Sequence, residues 1–429
     1  MFKKILGTAG ARLINAVITF VILFMITHNL GSKGMGTIGL ILLDINIIQL
    51  FVELFAGSAL IYFASRTSVA NLMFISYSWI IVVIIGFALL FNLMSFAFPE
   101  LYHMAVPAGY EMHILTLTTI SAYMLTHYNL LLGKEKIKTY NILFSTQTFI
   151  LLLVFAFLIY VKKEKTVGSY VMAMYASYAF GVAASLYGVL YNEKKIHIYA
   201  LKKTAGQVLR FGFVTSVANI LFIGNKRVGY YLVRYFTGLS SLGVFTAGTQ
   251  LTEGLKLIGQ SISLVQFSKL SNTTDNQYAT EITVKLLKVS VILTILGLLV
   301  MLLLPVPIYV WILGADFTDV KPIVLLLTPG VIALAANAVF AHYFSGMGNP
   351  KINLYANIIG FSVVLVLALL LIPGYGFYGA AGAVSVSYLI SMLYNFILFK
   401  NQTGVKLIKL IPSRADIIEL KRLFKKSGN

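Results

Sequence analysis

Twelve continuous apolar segments, each about twenty residues or longer, divide this chain of 429 residues. A helix needs about 20 apolar residues to cross a bilayer, whereas the strands of a membrane barrel alternate over about ten. The sequence therefore predicts an all-α polytopic membrane protein with about twelve transmembrane helices. The connecting segments are too short for a cytosolic enzyme or for a receptor with a large ectodomain. The twelve predicted spans lie at 11–30, 37–62, 72–96, 113–132, 140–161, 168–191, 209–233, 239–267, 286–313, 322–345, 353–372 and 377–399.

Composition excludes several further classes of function. Only 11% of the residues are charged, against roughly 25% in a soluble domain. The net charge is +19, but Lys and Arg are scattered between the apolar runs, which indicates membrane topology rather than nucleic-acid binding. The sequence has no cysteine and no P-loop, zinc-protease or serine-hydrolase motif. We therefore expect a protein that is not an enzyme and that holds no metal or other cofactor.

The distribution of positive charge predicts the orientation. An even number of spans places both termini on one side of the membrane. If that side is cytoplasmic, 24 of the 33 Lys and Arg residues lie in cytoplasmic segments, six lie outside and three lie within spans. The positive-inside rule then favours cytoplasmic termini. A lysine cluster at 162–165, in a predicted outer loop, is the one local feature that opposes this orientation.

Two pairs of similar segments predict an internal repeat. The window from His127 to Tyr140 shares six of fourteen positions with the window from His342 to Tyr355, 215 residues further on. The pair Gly31 and Gly36 recurs 207 residues later as Gly238 and Gly243. Six spans per repeat give two parallel six-helix lobes, an arrangement typical of secondary transporters. We expect lobes at 1–195 and 209–399, an inter-lobe cytoplasmic loop at 196–208 and a basic cytoplasmic tail at 400–429.

Polar side chains within the second and eighth spans form a matching pattern. Asn46, Gln49 and Glu53 share one helix face at 100° per residue, while Asp44 points to the opposite side. The repeat displacement of 207 residues maps the three onto Glu253, Lys256 and Gln260. Ionisable groups inside a bilayer are costly and so indicate function. The pattern favours two helices lining one hydrated cavity. Alternatively, these side chains form buried contacts between helices, with Glu253 and Lys256 paired along their own helix.

Span seven adds two adjacent cations, Lys226 and Arg227, with Asn219 on the same stripe as Lys226. An arginine fork and a lysine point charge are suited to binding a pyrophosphate. Counted at 1.5 Å per residue from Arg210, Lys226 lies in the outer third of the membrane. The alternative is therefore that these side chains snorkel to the outer surface and only anchor the helix.

The C-terminal third carries a recognisable pattern. Three features resemble motifs of polysaccharide flippases. They are the stretch Gly348-Asn-Pro-Lys351, the later run LIPGYGFYGAAGA at 371–383, and the glycines that begin spans two and eight. These flippases belong to the multidrug/oligosaccharidyl-lipid/polysaccharide exporter superfamily. Many members carry an acidic residue in span seven, near Gly229 in this chain, but no acid lies between Arg210 and Arg234. A coupling role for span seven is therefore in doubt.

The resemblance implies two six-helix lobes around a central cavity in the bacterial inner membrane. It also implies alternating access that moves a polyprenyl-pyrophosphate-linked oligosaccharide from the inner to the outer leaflet, for O-antigen or capsule synthesis. The partners would be this lipid-linked oligosaccharide, membrane lipids and the polysaccharide polymerase machinery, and the coupling ion, Na⁺ or H⁺, is left open. A cation-coupled multidrug exporter and a non-transporting scaffold are the alternatives.

The resemblance assigns roles to individual residues. Acidic coupling residues would be Asp44, Glu53 and Glu253. The substrate-binding residues would be the cations Lys226, Arg227 and Lys256 and the amides Asn46, Gln49, Asn219 and Gln260.

Overall fold

Every regular element in the described part of the chain is helical. The computed structural model describes residues 2–64, 66–191, 201–270, 275–349 and 351–406, without the side chains of 2–13, 58, 211, 212, 214–219, 222, 226, 256–265 and 267–269. The helices are α1 (Phe2–Ala56), α2 (Ser58–Phe63), α3 (Val69–Ala97), α4 (Pro99–Ala105), α5 (Glu111–Gly133), α6 (Ile137–Ala156), α7 (Val167–Leu190), α8 (Leu201–Leu270), α9 (Asn276–Leu303), α10 (Val306–Leu313), α11 (Val320–Gly346) and α12 (Lys351–Thr403). A π-helix at Phe157–Val161 extends α6, and a 3-10 turn at Ala315–Phe317 precedes α11.

Three of these helices are each broken by one glycine into two spans. Gly31 in α1, Gly238 in α8 and Gly376 in α12 have φ values of 66°, 89° and 56°. This left-handed region is costly for residues with a Cβ atom but open to glycine. The breaks fall between predicted spans one and two, seven and eight, and eleven and twelve. The twelve predicted spans are therefore the six halves of these broken helices and the helices α3, α5, α6, α7, α9 and α11.

The helices have the length and composition of membrane spans. Seven candidate spans are found among the described residues, and the first and last of them, Ile14–Phe63 and Lys351–Thr403, have 50 and 53 residues. Each of these two segments is long enough for two crossings of about 20 residues. Large apolar side chains of α3 point outward, including Leu89 at 66% and Phe96 at 89% exposure. An exposed face of this kind suits lipid rather than water. The protein is a multi-pass membrane protein, as predicted.

The chain forms two compact units. The first contains Met1–Ile220, Gly238–Gly243 and Ile312–Asp316, and the second contains Leu221–Thr237, Val244–Trp311 and Phe317–Asn429. In the second unit, Phe340 of α11 and Phe399 of α12 are fully buried in one hydrophobic cluster, with ring centroids 5.2 Å apart. Residues 196–200 of the predicted inter-lobe loop lie outside the described residues, 201–208 form the start of α8, and the lobe boundary stays a prediction.

The repeated glycines contact each other within the first unit. A methyl group on Gly36 would overlap the carbonyl oxygen of Leu239, and one on Gly243 would overlap the carbonyl oxygen of Ser32. Because neither glycine has a side chain, the two backbones approach closely. The glycines that the sequence relates by a displacement of 207 residues therefore occupy matching positions on two segments in contact.

Candidate functional site

An arginine and a glutamate from the two halves of α8 meet in the second unit. Arg227 precedes the break at Gly238 and Glu253 follows it, so the reversal of the chain brings them together. Arg227 Nη2 lies 3.5 Å from Glu253 Oε2, and the two side chains are 23% and 34% exposed. Both residues are sequence-predicted candidates, one for binding pyrophosphate and one for ion coupling. The sequence did not predict that they pair.

A chain of hydrogen bonds holds the other side of the guanidinium. Arg227 Nη1 donates to the Tyr230 hydroxyl at 2.6 Å, and that hydroxyl lies 2.6 Å from Thr249 Oγ1. The Thr249 hydroxyl donates to the carbonyl oxygen of Thr246 at 2.9 Å, so it accepts from Tyr230. Every donor therefore points the same way, from the guanidinium towards the backbone. Such aligned bonds polarise one another and fix the position of the arginine.

A cavity lies beside this pair. The space without atoms among its lining residues, including space open to solvent, is about 540 Å³. Its walls are mostly apolar side chains of α8, α9, α11 and α12, and its polar lining residues are Tyr230, Thr249, Thr252, Glu253, Thr294 and Tyr388. Glu253 thus lines the cavity, whereas Arg227, its ion-pair partner, is not among the lining residues. An arginine placed there can offer hydrogen bonds to an anion, and a glutamate there can attract a cation.

Three polar residues of this site were not identified from the sequence. Tyr230, Thr249 and Tyr388 are neutral, and Tyr and Thr side chains are common in membrane helices. Tyr230 lies three residues after Arg227, a spacing that places both on one helix face. That spacing was the only sign in the sequence that Tyr230 contacts Arg227.

The predicted polar residues of span two lie in the first unit. Gln49 Nε2 donates to Ser121 Oγ of α5 at 2.8 Å. Asn46 is exposed, and its amide donates to the carbonyl oxygen of Leu42 in its own helix at 2.7 Å. Asp44 is buried at 5% exposure, whereas Glu53 is partly exposed. Asp44 is buried and Asn46 is exposed, which fits their positions on opposite faces of the helix. The hydrogen bond of Gln49 is a contact between helices, the kind that the alternative interpretation expects.

Four other candidate side chains lie outside the described residues. They are Asn219 and Lys226 of span seven and Lys256 and Gln260 of span eight. Their helical backbones belong to α8, but their assignment to a substrate site stays a prediction.

Comparison with known proteins gives a likeness of fold. No protein-family model matches the chain, and no curated protein matches its sequence. One similar structure is an inward-facing multidrug resistance MATE family transporter of the MOP superfamily, with 12% identity over 92% of this chain and 98% of that chain, and a TM-score of 0.74. Another is the lipid II flippase MurJ in an inward closed conformation, with 17% identity, coverage of 93% and 88%, and a TM-score of 0.73.

A third similar structure is a MOP superfamily transporter from Pyrococcus furiosus, with 13% identity over 94% of this chain and 96% of that chain, and a TM-score of 0.59. MOP is the superfamily that the C-terminal sequence pattern resembles. These structures are transporters and a flippase rather than enzymes. The predicted architecture is confirmed: the chain has the twelve-helix, two-lobe fold that these MOP superfamily transporters and this lipid II flippase share.

Proposed function

We propose that this protein is a flippase for a polyprenyl-pyrophosphate-linked oligosaccharide. It would carry this lipid from the inner to the outer leaflet of the bacterial cytoplasmic membrane by alternating access, and so supply surface polysaccharide synthesis such as that of O-antigen. The observation that carries the proposal is the anchored guanidinium of Arg227 beside a cavity within the membrane-spanning helices. An ionised side chain within membrane-spanning helices is costly and so indicates function, and a guanidinium is suited to binding an anion.

The chemistry of the proposed substrate matches the residue types. A pyrophosphate offers several negatively charged oxygens, and the planar fork of arginine binds such groups in fixed geometry. The polyprenyl tail is apolar and would stay in the lipid while the headgroup enters the protein. Lys226 and Lys256 are proposed to add positive charge, and Asn46, Gln49, Asn219 and Gln260 to bind sugar hydroxyls.

Transport requires that the two states of the protein bind the substrate differently. An ion gradient or consumption of the flipped lipid on the outer side would supply that difference. Asp44, Glu53 and Glu253 are proposed as acids that bind the coupling ion, Na⁺ or H⁺. The polymerase machinery that consumes the flipped lipid is the proposed protein partner.

A second function has its own observation. The cavity in the second unit is lined by an acid, Glu253, and by two tyrosines, Tyr230 and Tyr388. An acidic and aromatic lining suits a cationic drug, and one similar structure is a multidrug transporter. A cation-coupled multidrug exporter is therefore the alternative.

Deletion of the gene separates the two functions. In the deletion strain we expect sugar-loaded polyprenyl pyrophosphate to accumulate and surface polysaccharide to be lost. A wild-type copy should restore the polymer, an Arg227→Ala copy should not, and Arg66→Ala, which removes an exposed arginine from the first unit, serves as the control. Normal polymer together with increased sensitivity to cationic dyes would establish the exporter instead.

A further inference from the structure

The two nitrogens of the Arg227 guanidinium have unequal partners. Nη1 donates to the Tyr230 hydroxyl at 2.6 Å, in the aligned chain that ends at the backbone. Nη2 faces Glu253 at 3.5 Å, which is longer than the roughly 2.7–2.9 Å of a charge-assisted hydrogen bond. The arginine is thus held firmly on one side by a neutral group, while its other side faces a carboxylate at longer range.

Glu253 is the member of the ion pair that lines the cavity. It lines the cavity and its side chain is 34% exposed, whereas Arg227 does not line the cavity. An anion that enters the cavity therefore meets the carboxylate before it reaches the guanidinium. Two negative groups cannot share one cation without mutual repulsion. Binding of the anion to Nη2 requires that the carboxylate turn away.

The lining of the cavity offers a hydrogen-bond donor to a displaced Glu253 carboxylate. Tyr230 and Tyr388 also line the cavity. The other helices that line the cavity, α9 and α11, contribute Thr294 and apolar side chains. The Tyr388 hydroxyl can donate a hydrogen bond to a displaced carboxylate. Arg227 would keep its position, because its bond to Tyr230 does not involve Glu253.

We propose that Glu253 is an exchangeable counter-ion of Arg227, which a phosphate-bearing lipid displaces when it binds. This inference rests on the proposed function and names a regulating residue of the same site. While the site is empty, Glu253 neutralises the half-buried arginine. When the ligand is bound, the displaced carboxylate repels it and so favours its release. Glu253 thus limits affinity, which a transporter needs because a ligand bound too tightly is not released.

Direct binding to the purified full-length protein tests this role. The probe is farnesyl pyrophosphate, a short polyprenyl pyrophosphate, titrated by calorimetry in detergent, with farnesol as the uncharged control. Glu253→Gln keeps the size of the side chain and removes the competing charge. We expect its Kd to fall about tenfold, the factor that corresponds to one charge-assisted hydrogen bond. Glu281→Gln, at an exposed acid of α9 in the same unit, should leave the Kd unchanged.

A second substitution tests the geometry of the fork. Tyr230→Phe removes the hydroxyl that anchors Nη1, so both nitrogens become available to the carboxylate. We expect this variant to bind farnesyl pyrophosphate more weakly than the wild type, and the double variant with Glu253→Gln to regain affinity. A residue with a merely structural role would not produce these opposite changes. In the deletion strain, Glu253→Gln should make polymer more slowly than the wild type although it binds more tightly.

The outcomes separate this inference from the proposed function. If Arg227→Ala loses binding but Glu253→Gln binds no more tightly than the wild type, the counter-ion role is wrong and the pyrophosphate site stands. If Arg227→Ala binds as well as the wild type, or the wild type does not bind farnesyl pyrophosphate, the site of the proposed function is wrong. Should Glu253→Gln fail to fold, Glu253→Asp replaces it, because the shorter side chain withdraws the carboxylate from Nη2 and should also tighten binding.

Discussion

At the scale of single residues, glycine has opposite effects at two positions of α8. Gly243 lies where a methyl group would overlap the carbonyl oxygen of Ser32, whereas a methyl group on Gly254 would meet no described atom within 4 Å apart from its chain neighbours and the backbone of its own helix. Overpacking a close contact typically costs 1–3 kcal/mol, while replacing glycine by alanine in an open helix gains up to about 1 kcal/mol. The two positions therefore differ in the sign of the expected effect.

We predict that Gly243→Ala destabilises the protein by about 1–3 kcal/mol and that Gly254→Ala stabilises it slightly. Thermal unfolding of the purified variants in detergent measures both. The same substitution in the same helix makes Gly254→Ala the matched control. Equal melting temperatures for Gly243→Ala and the wild type would show that the two backbones are not in contact at this point.

Charge made only part of the candidate site predictable. Arg227 and Glu253 could be selected from the sequence because ionised side chains are rare within apolar spans. Tyr230 and Thr249 could not, because the chain has 25 tyrosines and neutral hydroxyls occur throughout membrane helices. The pairing itself depends on how α8 reverses at Gly238. Helical periodicity does not predict which residues before such a break face which residues after it.

At the scale of elements, the glycine breaks were predictable and the contacts beside them were not. Gly31 and Gly238 are local signals, because a positive φ is a property of one residue. Immediately after Gly31, however, Ser32 donates to Asp316 Oδ2 from its backbone N–H at 3.0 Å and from its hydroxyl at 2.8 Å. No pattern in the sequence relates these residues, which are 284 positions apart. The same hydroxyl lies 2.6 Å from Ser240 Oγ.

This serine pair provides a test of whether these helix ends separate during transport. The chain has no cysteine, so the double variant Ser32→Cys/Ser240→Cys would contain the only two thiols. The hydroxyl oxygens are 2.6 Å apart, close to the roughly 2.05 Å length of a disulfide. We expect oxidation to link α1 to α8 and to stop polymer production in the deletion strain, and a reductant to restore it.

The matched control is Thr166→Cys/Ser169→Cys, whose hydroxyl oxygens are 3.2 Å apart within a single helix cap. A disulfide there joins no separate helices and should leave transport unchanged. If the cross-linked Ser32/Ser240 variant still supports normal polymer production, these helix ends remain together throughout the cycle.

At the scale of the whole molecule, the number of spans follows from hydropathy and glycine, but orientation depends on a sum over the entire chain. Twenty-four of the 33 positive charges favour cytoplasmic termini, and the cluster at 162–165 opposes them. No hydrogen bond or packed contact records which side of the membrane a loop faces. Orientation therefore stays a prediction that requires labelling in the cell.

One span decides the orientation, because its ends lie on opposite sides of the membrane. Lys138 lies near the start and Lys165 just beyond the end of the candidate span Ile137–Val161, and both side chains are exposed. Twenty-five helical residues extend about 37 Å at 1.5 Å per residue, more than the roughly 30 Å hydrocarbon core. With both termini cytoplasmic, we expect a membrane-impermeant maleimide to label Lys165→Cys in intact cells and Lys138→Cys only after permeabilisation. The reverse pattern would invert the whole topology and show that the lysine cluster outweighs the global charge bias.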